Sequence, residues 1–363
     1  MSDTTNYKCP ACTGPLHFVG SSGLLECDYC GTKYEIEQME ALSNKVKDDV
    51  EKSEKADKTK KEDDGVVPEG YQALTCSACG AELFCDETTV ATSCPYCGNP
   101  TIIPSKFTQS RLPDVIIPFK MDKQAAISTL KEFYKGKKLL PNTFKDENHI
   151  EEIKGVYVPF WLFSGKSKFD AVFECTDDET YTRGNERIII TKYYQETRSG
   201  EVTFRNVPVD ASVKMDNAQM DSIEPYDYKD LKPYSSSYLP GFLAESYDDE
   251  EETCKVRAEG RIKETAEEGA SNDVRNHDDV ETKSFNCEMT ESDVKYAFLP
   301  VWMLSTKWKD QNFLFAMNGQ TGKVAGKLPV DKVKKGFLIF RIFFIFEVLL
   351  NLSYWFVYLP YLR

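Results

Sequence analysis

Cys9-Pro10-Ala11-Cys12 is followed, after fourteen residues, by Cys27-Asp28-Tyr29-Cys30-Gly31, and Cys76-Ser77-Ala78-Cys79-Gly80 is followed, after the same gap, by Cys94-Pro95-Tyr96-Cys97-Gly98. Four thiolates must surround a tetrahedral Zn²⁺ at about 2.3 Å each, and two CxxC knuckles joined by a short hairpin place them there. Each knuckle needs a tight turn, which proline inside it and glycine just after it supply. Leu16, Phe18, Leu24 and Leu25 in the first copy, and Leu83, Phe84, Val90 and Ala91 in the second, suit the two strands of a small ribbon. The sequence therefore predicts two structural zinc ions. Cys9, Cys12, Cys27 and Cys30 would hold one, and Cys76, Cys79, Cys94 and Cys97 the other. A site closed by four sulfurs has no position for water, so neither ion is expected to be catalytic.

The rest of the chain sets the frame. Its 363 residues have room for several domains, and the balance of 41% hydrophobic and 29% charged residues is ordinary for a folded protein. A net charge of −14 argues against a protein that coats nucleic acid, which needs clustered Lys and Arg. Eight of the twelve cysteines sit in knuckles, and residues 1–8 are polar, unlike a signal peptide. These features point to a reducing compartment. The fold class expected is α+β and multidomain: ribbon one over 1–37, a charged linker over 38–70, and ribbon two over 71–104. Two related β-rich α+β units follow over 105–205 and 206–331, then a hydrophobic helix over 332–363.

Several smaller expectations follow. His17 reads as a hairpin residue and Cys85 as a buried strand residue, because four cysteines already close each site. In the linker, Met39, Leu42 and Val46 at helical spacing suggest a helix over part of 36–50. Asp114 to Phe119 reads as a strand. Asp122 should cap a helix that buries Ala126, Ile127, Leu130 and Phe133 and ends at Gly136. Residues 155–164, GVYVPFWLFS, echo 296–305, YAFLPVWMLS, and each echo should continue through a lysine-containing turn into a second strand, Phe169 to Phe173 and Phe313 to Met317. This reads as an internal duplication. Cys175, Cys254 and Cys287 should face cores, His149 and His277 stand isolated, and Asp248 to Glu252 should open a helix. Asn318 to Lys323 lacks the GxxxxGK[ST] spacing of a phosphate loop and reads as a hairpin turn. No catalytic residue is predicted.

Lys332, Lys334 and Lys335 precede an apolar run from Phe337 to Leu362. Its length predicts a transmembrane helix, and the lysines predict a cytoplasmic N-terminal region at the cell membrane. Arg341 is placed to snorkel to the lysine end. Glu347 would be costly in mid-bilayer, but Glu347, Asn351, Tyr354 and Tyr358 share one helix face, which suggests self-association or a partner helix.

The combination resembles a bacterial family described as TFIIB-type zinc-ribbon-containing proteins. The resemblance rests on the knuckles, on Tyr238-Leu239-Pro240-Gly241-Phe242-Leu243-Ala244-Glu245, on Leu299-Pro300-Val301-Trp302, and on Met317 to Val324. It implies a hydrophobic membrane segment and brings no reaction or catalytic residue. The function expected is a membrane-anchored, non-catalytic zinc-ribbon adaptor that recognises another protein. The alternative is a nucleic-acid-binding accessory protein of replication or transcription type.

Overall fold

The computed structural model describes residues 9–39, 41–42, 71–76, 78–86, 94–97, 102–105, 111–142, 144, 150–309 and 311–353. In chain order the strands are β1 (Leu16–Val19), β2 (Leu24–Cys27), β3 (Lys33–Tyr34), β4 (Tyr71–Cys76), β5 (Glu82–Asp86), β6 (Ile102–Ser105) and β7 (Val115–Ile116). Helix α1 (Lys123–Tyr134) precedes β8 (Lys154–Arg183) and β9 (Glu186–Asp210). Then come α2 (Asn217–Ser222), β10 (Lys232–Pro233), β11 (Leu243–Glu245), α3 (Glu251–Asn272), β12 (Asp279–Trp308), β13 (Gln311–Asn318), β14 (Val324–Gly326) and α4 (Lys332–Ser353). The structure is mixed α and β, and mostly strand. Strands β1 to β3 form a sheet of their own, and the other eleven form one sheet.

The two echoing segments lie side by side at the centre of the large sheet. β8 and β12 pair antiparallel with Val158 opposite Leu299, Pro159 opposite Phe298 and Tyr157 opposite Pro300. Val158 and Leu299 are themselves equivalent in the echo, so the halves are related by a local two-fold through that pair. The symmetry extends outward. β11 runs parallel to β8 with Leu243 opposite Val156, and β7 runs parallel to β12 with Val115 opposite Ala297. Each half thus lends a short strand to the other half's long strand, giving the order β7-β12-β8-β11.

The repeated Pro-x-Trp is what fastens the exchange. The Trp161 indole N–H donates to the Asp249 carbonyl at 3.0 Å, and the Trp302 indole N–H donates to the Met121 carbonyl at 3.1 Å. The rings pack on equivalent aromatics, Trp161 on Tyr247 at 5.4 Å and Trp302 on Phe119 at 5.1 Å. The carbonyls of Pro159 and Pro300 accept from Ala211 and Gly319, whose own carbonyls accept from residues 248–249 and 120–121. Both tryptophans are buried. Each contributes roughly 3 kcal/mol of apolar burial while its one polar atom finds a partner. They are core residues.

Two departures have local causes. The Asp122 carboxylate caps α1 by accepting from the Ala125 N–H at 2.8 Å, but the buried face is Ala126, Ile127, Leu130 and Tyr134, with Phe133 half-buried beside it. The turn expected near Lys166 is absent, and β8 continues through it as an unbroken strand. A bulge falls there instead. An added Cβ at Gly165 would lie 1.9 Å from the Glu291 carbonyl oxygen, so this close approach needs glycine. Beyond it, Ala171, Phe173 and Cys175 pack on Ala270 and Val274 at the far end of α3. In the second half the turn does form, between β12 and β13. Cys254, Ala258, Ile262, Ala266 and Ala270 form the buried stripe of α3, and Glu251 and Glu252 open it.

The transmembrane expectation is corrected. Among the described residues no helix is long and apolar enough to cross a membrane. From Gly336 to Ser353 α4 rises about 27 Å, short of the roughly 30 Å hydrocarbon core, and it carries Arg341 and Glu347. Residues 354–363, which include Tyr354 and Tyr358 of the expected polar face, lie outside the described residues. So do the linker helix beyond Leu42, the Val90–Ala91 strand and His149. What is present of α4 is nevertheless almost wholly exposed, with Phe337, Phe340, Phe343, Phe344 and Phe346 all facing outward.

Candidate metal centres

The first four sulfurs are set by the β1–β2 hairpin, in which Leu16 pairs with Cys27 and Val19 with Leu24. Cys9 Sγ lies 3.5 Å from Cys30 Sγ, and Cys12 Sγ lies 3.5 Å from Cys27 Sγ. In the second set Cys76 and Cys97 are 3.7 Å apart, as are Cys79 and Cys94. Within each set all four ligand atoms lie within 4.8 Å of one another. A tetrahedron of sulfurs around zinc has edges of about 3.8 Å, whereas a disulfide would bring sulfurs to about 2.05 Å. None of the twelve cysteines is in a disulfide. Both sets fit a metal ion, and their all-thiolate chemistry suits zinc.

The knuckle backbone prepares the sulfurs for a cation. The Tyr34 hydroxyl, 3.3 Å from Cys9 Sγ, is the largest influence drawing that thiol down to about 6, aided by the amides of Ala11 and Cys12. Burial pushes Cys76 up, but the amides of Cys79 and Ala78 outweigh it and bring the thiol to about 7. Their neighbours move the other way, and burial drives Cys79 up to about 11 and Cys94 higher still. Four thiolates crowd one another's charge, and a divalent cation at the centre is what lets all four ionise together.

The two centres sit in different surroundings. The first ribbon lies on the surface of the body. The Phe18 N–H donates to the Pro240 carbonyl at 3.1 Å, and the Phe18 ring meets Tyr238 edge-on at 5.5 Å. Its knuckle tips face outward, with Cys12 and Cys30 exposed and Tyr29 79% exposed. His17 is a hairpin residue whose Nδ1 lies 3.0 Å from the Asp28 carboxylate, and Lys33 pairs with Glu26 at 2.7 Å. The second ribbon is built into the large sheet. β5 pairs with β11, Ala244 opposite Phe84 and Glu245 opposite Leu83, while Cys76, Cys85, Cys94 and Tyr96 share a core with Val156, Val158 and Leu243. Cys85 is a buried strand residue, as predicted.

Tyr96 occupies the same place in Cys94-Pro95-Tyr96-Cys97 as Tyr29 does in Cys27-Asp28-Tyr29-Cys30, yet it is only 6% exposed. Its hydroxyl donates to the Glu245 carboxylate, and Ser212 Oγ donates to the other Glu245 oxygen at 2.8 Å. Burial pushes the Glu245 carboxyl up to about 8, against the two hydrogen bonds. Burial would also discharge Lys214, but the Asp248 carboxylate 3.1 Å away outweighs it and holds the ammonium above its ordinary range. The resemblance quoted Glu245 only as the last letter of a motif. Its apolar setting, Phe242-Leu243-Ala244-Glu245, was the one sequence signal of a buried acid.

The remaining chemistry-bearing residues do not converge on either centre. His277 is not isolated: its Nδ1 lies 3.1 Å from both Asp177 oxygens, and its ring lies 5.2 Å from Tyr194. Nearby Cys175 is fully buried and its thiol is pushed up by that burial, then by the charges of Glu196 and Asp177, the opposite of an activated nucleophile. Asp210, on β9, and Asn318, on β13, are equivalent across the two-fold. Asp210 pairs with Arg257 at 2.7 Å, and Asn318 closes the β13–β14 hairpin by accepting from the Gln320 and Thr321 amides. That segment is a turn, as predicted.

The chain is similar to a Bacillus subtilis protein named "Uncharacterized protein YdjG", with 31% identity over 331 residues that cover 91% of each chain. No model of a known protein family matches it. No solved structure matches it either.

Proposed function

The chain belongs to the family of the Bacillus subtilis protein YdjG, and for this member we propose a membrane-associated, non-catalytic adaptor whose first zinc ribbon binds another protein. The observation that carries this reading is the opposite fate of the two knuckle tyrosines. Tyr96 is spent on locking the second ribbon to Glu245, while Tyr29, on the equivalent knuckle, is 79% exposed among the described residues and lies against the Gly14 turn. A rigid, exposed aromatic costs little entropy to bind and is the kind of residue that anchors protein interfaces. A closed four-sulfur site offers a substrate no coordination position, which supports a structural role for both ions.

The nucleic-acid alternative is weaker on this surface, because the His17–Asp28 and Lys33–Glu26 pairs offset its positive charge. Membrane association draws its support from α4. From Phe337 on, apolar side chains lie on every side of the helix, interrupted by Arg341, Glu347 and Asn351, and a protein groove would cover one side where lipid covers all. Lys332, Lys334 and Lys335 at its start favour the cytoplasmic face.

The test is capture of partners by the full chain from solubilised membranes, before and after nuclease treatment, beside Tyr29→Ala. Protein partners that survive nuclease and fall about tenfold or more with Tyr29→Ala, at unchanged zinc content, are expected. Partners that depend on nucleic acid, or that ignore Tyr29→Ala, would overturn the adaptor reading.

A further inference from the structure

Where α4 leaves the body, its first turns and the segment after α1 enclose a groove of about 820 Å³. Part of its lining is aromatic: Phe337, Phe340 and Phe344 recur at helical spacing on α4 and line it together with Leu139. Three cations line the same groove, Lys138 from the body and Lys334 and Arg341 from the helix. Lys334 and Arg341 are two turns apart, so they share one face with Phe337 and Phe344. This concentration of positive charge stands out in a chain of net charge −14.

The one acid lining the groove is bound to the backbone at the start of α4. Asp331 Oδ1 accepts from the backbone N–H of Val333 and of Lys334, at 2.9 and 3.2 Å, and so caps the start of α4. Lys334 Nζ donates to the Leu140 carbonyl at 2.8 Å and to Asn142 Oδ1 at 3.0 Å, which leaves its third N–H directed elsewhere. Lys138 and Arg341 are exposed. Past Arg341 the helix offers only apolar side chains until Glu347.

A cationic mouth that continues into a phenyl-lined wall has the chemistry of an acidic headgroup followed by an acyl chain. A small soluble anion has no use for the aromatic wall, and a purely apolar partner has none for three cations. An arginine between Phe340 and Phe344 is costly in lipid unless its guanidinium reaches back to the interface. Phosphate is the group a guanidinium binds best there, through paired N–H donors.

We propose that this groove binds the headgroup of an acidic phospholipid at the bilayer surface, with Lys138, Lys334 and Arg341 on the phosphate and Phe337, Phe340 and Phe344 along the acyl chain. The proposal rests on reading α4 as the lipid-contacting segment.

The test is flotation of the full-length protein with vesicles of phosphatidylcholine alone and of phosphatidylcholine mixed with phosphatidylglycerol. Binding should be about tenfold or more tighter to the mixed vesicles. Lys138→Ala with Arg341→Ala should abolish that preference and leave binding to phosphatidylcholine unchanged. Lys332→Ala with Lys335→Ala removes equal charge from the same end of the helix but outside the groove, and should reduce the preference far less. Equal losses in the two double variants would mean diffuse attraction and overturn the site. Equal binding of the parent to both vesicles would overturn the site while leaving membrane association standing. Binding to neither would overturn both. Displacement from mixed vesicles by monomeric lysophosphatidylglycerol would assign the groove to a free amphiphile and overturn the bilayer source.

Discussion

Replacing Cys76 and Cys94 with serine is expected to destabilise the whole body, whereas replacing Cys9 and Cys27 should loosen only the first ribbon. Cys76 and Cys94 are both in the second sulfur set and in the core that contains Val156, Val158, Leu162 and Leu299. β4 and β5, which carry the second hairpin, continue the large sheet through β11. Loss of this ion should therefore cost more than about 4 kcal/mol and lower the melting temperature by roughly 10 °C or more. The first ribbon shares a core with the body, in which Cys9, Leu16, Phe18, Leu25 and Cys27 join Tyr157 and Tyr238, but among the described residues its three strands pair only with one another. Hydrogen exchange separates the outcomes. In Cys9→Ser, Cys27→Ser protection should fall over 9–34 and persist in β8 and β12. In Cys76→Ser, Cys94→Ser it should fall in β8 and β12 as well. Equal, local effects in both variants would show that the second ribbon does not brace the body.

The second large effect is a pH dependence that runs opposite to that of a paired surface acid. Glu245 is fully buried, and its carboxyl sits near 8 chiefly because burial penalises the charge, with Asp248 adding to the shift. In the unfolded chain a glutamate ionises near 4.3. The protonated form is therefore favoured by folding. Its contribution is complete below about pH 4.3 and is lost progressively as the pH rises through 8, with a ceiling of about 5 kcal/mol. Glu245→Gln keeps one acceptor oxygen, offers an N–H donor to the other hydroxyl as the protonated carboxyl does, and has no proton to lose. It should match the parent at about pH 4, exceed it in stability by a few kcal/mol at pH 8, and flatten the slope between. Denaturant titrations at those two pH values decide this. An unchanged slope would mean that Glu245 is not the group responsible.

The contrast between the ribbons explains what the sequence disclosed and what it withheld. Both ligand sets and the β1–β2 strands were legible because zinc geometry forces a local spacing that needs no tertiary context. The Pro-x-Trp echo was legible because duplication leaves self-similarity at a distance. The exchange of β7 and β11 was not, since two-residue contacts such as Val115 with Ala297 join segments far apart in the chain and leave no local periodicity. The unequal roles of Tyr29 and Tyr96 were hidden for the same reason: Cys-x-Tyr-Cys is common to both, and only the partner, Glu245, differs. At the C-terminus the hydrophobic run was visible, but its count ran to Leu362. Within the described part, Arg341 and Glu347 interrupt a helix already short for a bilayer.

The organisation of this chain around two closed four-sulfur centres, one displayed and one built into the body, is open to direct measurement. Its most direct test is the zinc content of the purified full-length protein by elemental analysis, with thiols counted before and after chelation. Two zinc ions per chain are expected in the parent and one in Cys9→Ser, Cys27→Ser, with eight thiols becoming reactive when both ions are removed from the parent. Fewer than two ions in the fully reduced parent, or a parent whose knuckle cysteines are found in disulfides, would contradict it.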